Sequence, residues 1–228
     1  MKYIEKQKLT VDHPLVEARL LILDKQFNNA ENLLLNNNLL DETIEILNEL
    51  QKWDESVKIA EKYAHPEIAK IKAQYYDWLI SNDQLDKAAE LKEHDGDFMA
   101  AIELYIQGGY PAKAANLVKA YENQTKFDNA LLEKIITNLN QVGIYEKAGE
   151  LLETMGHSQR SLDAYRQAKC FSKAVEIAKK YIPTRVEKLE EEWGEYLFDQ
   201  KNYENAIIHF IEANSKERAI EASIQARK

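Results

Sequence analysis

The sequence predicts an all-α protein: a right-handed α-solenoid of antiparallel helix hairpins, with about fifteen helices. Three observations carry that reading. Turn formers are scarce, with 7 glycines and 4 prolines in 228 residues, well below the usual shares of roughly 7% and 5%. A small residue recurs every thirteen positions in four sets. The sets themselves recur every 58 to 60 positions, from Ala30 to Ala88, Ala148 and Ala206.

The elements follow in order along the chain. A longer helix starts near Pro14 and carries Leu21; a proline there loses no bond, because a first-turn N–H has no helical partner. Three short helices come next, each reading large-x-x-small-x-x-aliphatic: Phe27–Ala30–Leu33, Leu40–Thr43–Ile46 and Trp53–Ser56–Ile59. Spacings of three put these residues on one helical face. A second longer helix starts near Pro66 and carries Leu79. It leads to Leu85–Ala88–Leu91, Phe98–Ala101–Leu104 and Pro111–Ala114–Leu117. A third is capped by Asp128 and carries Leu139. It leads to Tyr145–Ala148–Leu151, Ser158–Ser161–Ala164 and Phe171–Ala174–Ile177. A fourth starts near Pro183, carries Leu197 and leads to Tyr203–Ala206–His209 and Lys216–Ala219–Ala222. Pro111, Ser158 and Lys216 depart from the large position. Ala164, His209 and Ala222 depart from the aliphatic one.

A thirteen-residue step holds about ten helical residues and a turn of three. Gly96, Gly108-Gly109, Gly143 and Gly156 fall near such turns, where a left-handed residue ends a helix. A hairpin this short cannot bury its apolar face alone, so stacked neighbours must share one core. The small residue lets two helix backbones approach, and the large one fills the space beside it. The design is like that of tetratricopeptide repeats with shorter legs. No linker interrupts it, so residues 1–228 are expected to form a single helical-repeat segment. The fourth set stops after Ala219, which suggests a fragment of a longer chain.

Composition narrows the function. Hydrophobic residues make up 45% and charged residues 30%, which argues for an ordered, soluble protein. The net charge of -9 argues against nucleic acid as a partner, since a phosphate backbone calls for a basic face. No apolar run approaches the ~20 residues of a membrane span, and the opening "MKYIEKQKLT" lacks the apolar core of a signal peptide. Cys170 is the single cysteine, so no internal disulfide forms and a reducing compartment fits best. Asn123-Gln124-Thr125 matches a glycosylation acceptor and reads as chance without a secretion signal.

No residue is assigned a catalytic, cofactor-binding or metal-ligating role. His13, His65, His94, His157 and His209 are scattered without metal-ligand spacing. His209 reads as a packed or rim histidine, and Cys170 as a turn or half-buried thiol without a paired base. Gly108-Gly109 lacks the Lys-Ser/Thr of a phosphate loop. The carboxylates of "EKLEEEWGEY", Glu187 to Tyr196, read as a solvated face. Tyr105, Tyr165 and Phe210 are expected to pack inward. Of Tyr75, Tyr76 and Trp78, at least one is expected at the surface or a rim.

"WDESVKIAEKYAHPEIAKIKAQYYDWL", "GDFMAAIELYIQGGYPAKAANLV", "EEEWGEYLFDQKNYENAIIHFIEA" and "KERAIEASIQARK" resemble one family: the largest peripheral subunit, of one hundred and seventy-two kilodaltons, of intraflagellar transport complex B. The resemblance covers nearly the whole chain, most densely from Trp53 onward. Its specific marks are Trp53, His65-Pro66, Tyr75-Tyr76-x-Trp78 and Trp193-Gly194, in that order. Members carry two N-terminal WD40 propellers followed by a long tetratricopeptide-like solenoid, and help build and maintain cilia. The resemblance implies the early part of that solenoid, and no propeller pattern is present. It implies a protein–protein interaction scaffold rather than an enzyme, bound to other subunits of a large transport complex. The implied location is the cytoplasmic side, at the cilium or ciliary base. No nucleic acid, membrane insertion, cofactor or small-molecule substrate is expected. The alternatives are a segment of a vesicle coat or tethering protein, an RNA-binding helical repeat, which would need a regular basic or polar pair in every repeat, and an all-helical enzyme.

Overall fold

The computed structural model describes residues 13–227; the reading of the opening decapeptide lies outside them. The described residues hold fifteen α-helices and no strand. They fall into two compact units that meet in sequence at Asp83 and Gln84. The first contains α1 (Pro14–Leu23), α2 (Phe27–Asn36), α3 (Leu40–Glu49), α4 (Trp53–Lys62) and α5 (Ile68–Ser81). The second contains α6 (Leu85–His94), α7 (Phe98–Gln107), α8 (Pro111–Tyr121), α9 (Asn129–Gln141), α10 (Tyr145–Thr154), α11 (Ser158–Gln167) and α12 (Phe171–Tyr181). A 3-10 turn, Pro183–Arg185, then precedes α13 (Val186–Asp199), α14 (Tyr203–Glu212) and α15 (Lys216–Ala226). Within each unit every helix packs on the next in sequence.

The thirteen-residue frame sets both the packing and the boundaries. All eleven small residues are buried, from Ala30 to Ala219. The position three before each of them is the first residue of a short helix, in all eleven cases. Even Pro111, Ser158 and Lys216, which break the large-residue pattern, start helices. An aromatic or aliphatic side chain is therefore not what sets the start. The preceding turn sets it. That turn is one repeated device: a residue in the left-handed region, with two backbone bonds that close the helix end. After α2, Asn38 N–H donates to Leu35 O and Leu39 N–H to Leu34 O, at 3.1 and 3.0 Å. After α10, Gly156 N–H donates to Glu153 O and His157 N–H to Leu152 O, at 2.9 and 2.8 Å. This is the Schellman arrangement, and it satisfies carbonyls that the helix leaves open.

Glycine fills the left-handed position at Gly96, Gly109, Gly143 and Gly156, as expected. Lys25, Asn38, Gln51, Ala64, Asp83, Lys169, Lys201 and Asn214 fill it elsewhere. Those eight turns carry no glycine signal in the sequence. Asn and Asp tolerate the conformation through their short polar side chains, whereas Ala64 and Gln51 bear its steric cost.

Several expectations need correction. The first helix is not long: α1 has ten residues. Pro14 opens it, and His13 Nδ1 accepts from Leu15 N–H at 3.2 Å, which fixes the start. The helices α5, α9 and α13 have 14, 13 and 14 residues. Pro66 lies in the turn before α5, and Pro183 opens the 3-10 turn before α13. Asp128 stands at the N-cap of α9 in extended geometry but makes no side-chain capping bond. The expectation for Tyr75, Tyr76 and Trp78 holds: Tyr75 is buried, and the other two are half-buried, at a rim rather than in the open. The reason is Trp53, which stacks on Tyr75 at 6.1 Å and meets Trp78 at 6.4 Å. Two rings of α5 are thus covered by the first residue of α4.

The carboxylates of Glu187–Tyr196 are a solvated face only in part: Glu187 and Glu191 are exposed. Glu190 is buried; it accepts from His209 Nδ1–H at 2.8 Å and pairs with Lys179 at 3.4 Å. Glu192 pairs with Arg166, Glu195 with Arg218, and Glu191 accepts from Ser215 Oγ–H. These pairs tie α13 to α11, α12, α14 and α15. Charge density in the sequence could not distinguish an exposed acidic face from one already paired.

Candidate interaction groove

The same polar constellation is built twice in the second unit. In α10–α12, Lys173 Nζ pairs with Glu146 at 2.8 Å and Glu150 at 2.9 Å, and stands 5.3 Å from the Tyr165 ring centroid. Tyr165 Oη–H donates to Glu153 at 3.1 Å. Sixty residues earlier, in α6–α8, Lys113 pairs with Glu90 at 2.8 Å and Asp86 at 3.9 Å, 5.6 Å from the Tyr105 centroid. Tyr105 Oη–H donates to Glu93 at 3.2 Å. Each tyrosine ring is buried, as expected, while its hydroxyl reaches a carboxylate at the helix end. Burial first, then the neighbouring glutamate, raises the pKa of both phenols well above the ordinary tyrosine value. Hydrogen bonds to Glu146 and Glu150 raise that of the Lys173 ammonium, and lower those of both carboxyls.

A groove of about 500 Å³ opens beside the Lys173 constellation, on α8, α10 and α12. Ala115, Leu151 and Ile177 give it an apolar floor. Tyr181, half-exposed, stands at its rim. Its three lysines are engaged by the protein itself: Lys119 with Glu150 at 3.2 Å, Lys173 as above, and Lys147 with the Asn116 side chain. Four carboxylates also line it: Glu122, Glu150, Glu153 and Glu176. Glu122 and Glu176 make no ion pair among the described residues, and Glu153 accepts only from the neutral Tyr165 hydroxyl.

The other residues considered for chemistry are placed structurally. His65 accepts from Glu67 N–H through Nδ1 at 3.1 Å and donates through Nε2 to Asp41 at 2.7 Å. His209 stacks on Trp193 at 3.7 Å. His13 caps α1, His157 is the N-cap residue of α11, and His94 is exposed. Cys170 is half-buried at the N-cap of α12, and burial raises its thiol pKa. Gly108 and Gly109 end α7. Among the described residues, no three His, Cys, Asp or Glu side chains form a group that could hold a metal ion. No helix among them is long and apolar enough to cross a membrane. The sequence reading missed the groove, although the sixty-residue recurrence of Tyr, Lys and Glu was a usable signal.

No protein-family model matches the chain. Over 217 residues, 95% of its length, it is 42% identical to the intraflagellar transport protein 172 homolog of Danio rerio. It is 42% identical to that of Homo sapiens over 93% of its length. It is 38% identical to intraflagellar transport protein 172 of Chlamydomonas reinhardtii, also over 93%. The chain matches a segment of intraflagellar transport protein 172. It spans 12% of the length of each of these relatives.

The residues that carried the resemblance have structural work in this chain. Trp53, Tyr75 and Trp78 form one cluster joining α4 to α5. Its counterpart between α12 and α13 is Phe171, Trp193 and Tyr196, with centroids 6.3 and 5.5 Å from Phe171. Gly194 admits the buried ring of Phe210, since a Cβ there would lie 2.7 Å from a ring carbon.

Proposed function

We propose that the chain is a protein-binding segment of an intraflagellar transport subunit, acting as one helical-repeat scaffold in cilium assembly and maintenance. It binds other protein subunits of the transport complex and catalyses no reaction. It works on the cytoplasmic side, at the cilium and its base. The observation that carries this reading is the 42% identity over 95% of the chain to an intraflagellar transport protein. The groove on α8, α10 and α12 supports it: an apolar floor ringed by charged side chains suits a peptide or helix of a partner.

The test is affinity capture with the tagged chain from extracts of ciliated and unciliated cells, read by mass spectrometry. Transport-complex subunits enriched from the ciliated extract are expected. Capture of the same proteins from both extracts, or of no transport subunit, overturns the reading.

A further inference from the structure

The groove on α8, α10 and α12 has a polarity that its own pairing leaves unbalanced. Each of its lysines is already bonded within the protein. Three of its carboxylates, Glu122, Glu153 and Glu176, lack a cation bonded to them among the described residues. The fully exposed Lys180 influences Glu153 and Glu176 only at a distance, and it lies over the Tyr181 ring at 4.9 Å. Beneath these carboxylates the floor is aliphatic, and Tyr181 offers a ring face at the rim. We propose that this groove is the docking site for a basic, aliphatic segment of a partner protein. An aliphatic side chain of that segment seats against Ala115, Leu151 and Ile177, and Lys or Arg side chains lie against Glu122, Glu153 and Glu176.

The chemistry follows from complementarity. A partner carboxylate would compete for Lys119 and Lys173, which are already ion-paired, and would meet three unneutralised carboxylates against a single uncompensated cation, Lys147, bonded to the neutral Asn116 side chain. Like-charge juxtaposition of this kind rejects a wrong partner. A cation meets free acceptors in a partly desolvated groove, and an aromatic face adds a cation–π contribution. The aliphatic anchor is what separates this site from general attraction to a chain of net charge -9, because general attraction has no need of apolar side chains.

This inference rests on reading the groove as a protein-binding surface. Its test uses the whole chain and a short fluorescein-labelled peptide of alternating leucine and lysine, read by fluorescence anisotropy at low and moderate salt. Binding is expected, weakened by salt. The same peptide with glutamate in place of lysine is expected not to bind, and the version with serine in place of leucine to bind more weakly. The double variant Glu153→Gln with Glu176→Gln keeps the side-chain shapes and the Tyr165 bond; it should weaken binding about tenfold. Glu103→Gln with Glu187→Gln removes the same charge from exposed sites elsewhere and should leave affinity unchanged. Far-UV circular dichroism checks that both variants fold. Equal weakening by the two double variants overturns the proposal, as does binding of the glutamate peptide or absence of binding by the lysine peptide. If the peptide fails while the chain still captures transport subunits from ciliated extract, the partner chemistry is wrong and the function stands. If the peptide behaves as expected and that capture fails, the groove stands and the assignment to transport falls.

Discussion

Helices α2–α4 and α10–α12 occupy the same places in two of the four sets, the Ala30 set and the Ala148 set, yet they share only their buried frame. Ala30, Thr43 and Ser56 are buried in the first, as are Ala148, Ser161 and Ala174 in the second. The polar faces have diverged. Where the second has Glu146, Glu150, Glu153, Tyr165 and Lys173 bonded into one constellation, the first has Asn28, Asn32, Leu35, Leu47 and Glu55. Of these, Glu55 pairs with its own neighbour Lys52 at 3.6 Å. The difference teaches that the frame specifies the fold and the polar face specifies what each set can recognise. One side is held by packing, which tolerates little change in volume. The other faces water and is free to vary.

The sharpest check is on the residue that follows the second small position of each set. Leu162 in α11 and Ile44 in α3 are buried there, and Leu162→Ala and Ile44→Ala should each cost about 2–4 kcal/mol through the cavity left behind. Ile220 in α15 holds the same place but is 62% exposed, so Ile220→Ala should change stability by less than about 0.5 kcal/mol. Urea melts followed by circular dichroism read all three. Midpoints must be compared for the same transition, because helical arrays unfold in parts. A large effect at Ile220, or none at Ile44, would break the shared frame.

Next in size is a position where the two sets differ by necessity. A Cβ on Gly149 would stand 2.9 Å from ring carbons of Tyr165, and that ring is locked in the core. Gly149→Ala should therefore cost about 1–3 kcal/mol by overpacking, although alanine is the better helix former. Glu31, its counterpart in α2, faces no such ring, and Glu31→Ala should stay within about 0.5 kcal/mol. Equal effects in thermal melts would remove the ring contact as the explanation.

Smaller still is the contrast between two buried frame serines. Ser161 Oγ–H donates to Gly149 O at 2.9 Å, whereas the Ser56 hydroxyl has no partner among the described residues. Ser161→Ala should lose about 1 kcal/mol, and Ser56→Ala should be neutral or stabilising. Finding the two equally destabilised in urea would mean that Ser56 is satisfied after all.

The smallest expected effect lies in the turns. Gly156 closes α10 in the left-handed region, while Gln51 closes α3 with φ 56°. Gln51→Gly should raise stability by at most about 1 kcal/mol, since relief of the steric cost is partly offset by a more flexible unfolded chain. A lower melting temperature for Gln51→Gly would show that the side chain contributes more than its backbone conformation costs.

The helices were legible in the sequence because a helix that buries one stripe must repeat its small and large residues at fixed spacing. The residues Ala88, Ala101 and Ala114 gave the spacing and the buried stripe of three helices without any structure. The groove was less legible. Lys113 and Lys173 look like any surface lysines, and only the fold brings them to carboxylates more than twenty residues away. Glu190 shows the same limit, since its burial depends on His209 and Lys179 arriving from two other helices.

The sequence by itself therefore determined the all-α class, the number and spacing of the short helices, and the relation to an intraflagellar transport family. Local periodicity encodes the first two, because backbone hydrogen bonds and stripe burial act within a few residues; the family relation rests on particular residues, Trp53, His65-Pro66 and Trp193-Gly194 among them. The tertiary structure alone decided which charges are already paired, which aromatic rings are covered, where the left-handed residues other than glycine sit, and where a groove remains open. Those outcomes depend on side chains meeting across helices, and no short stretch of sequence contains both partners.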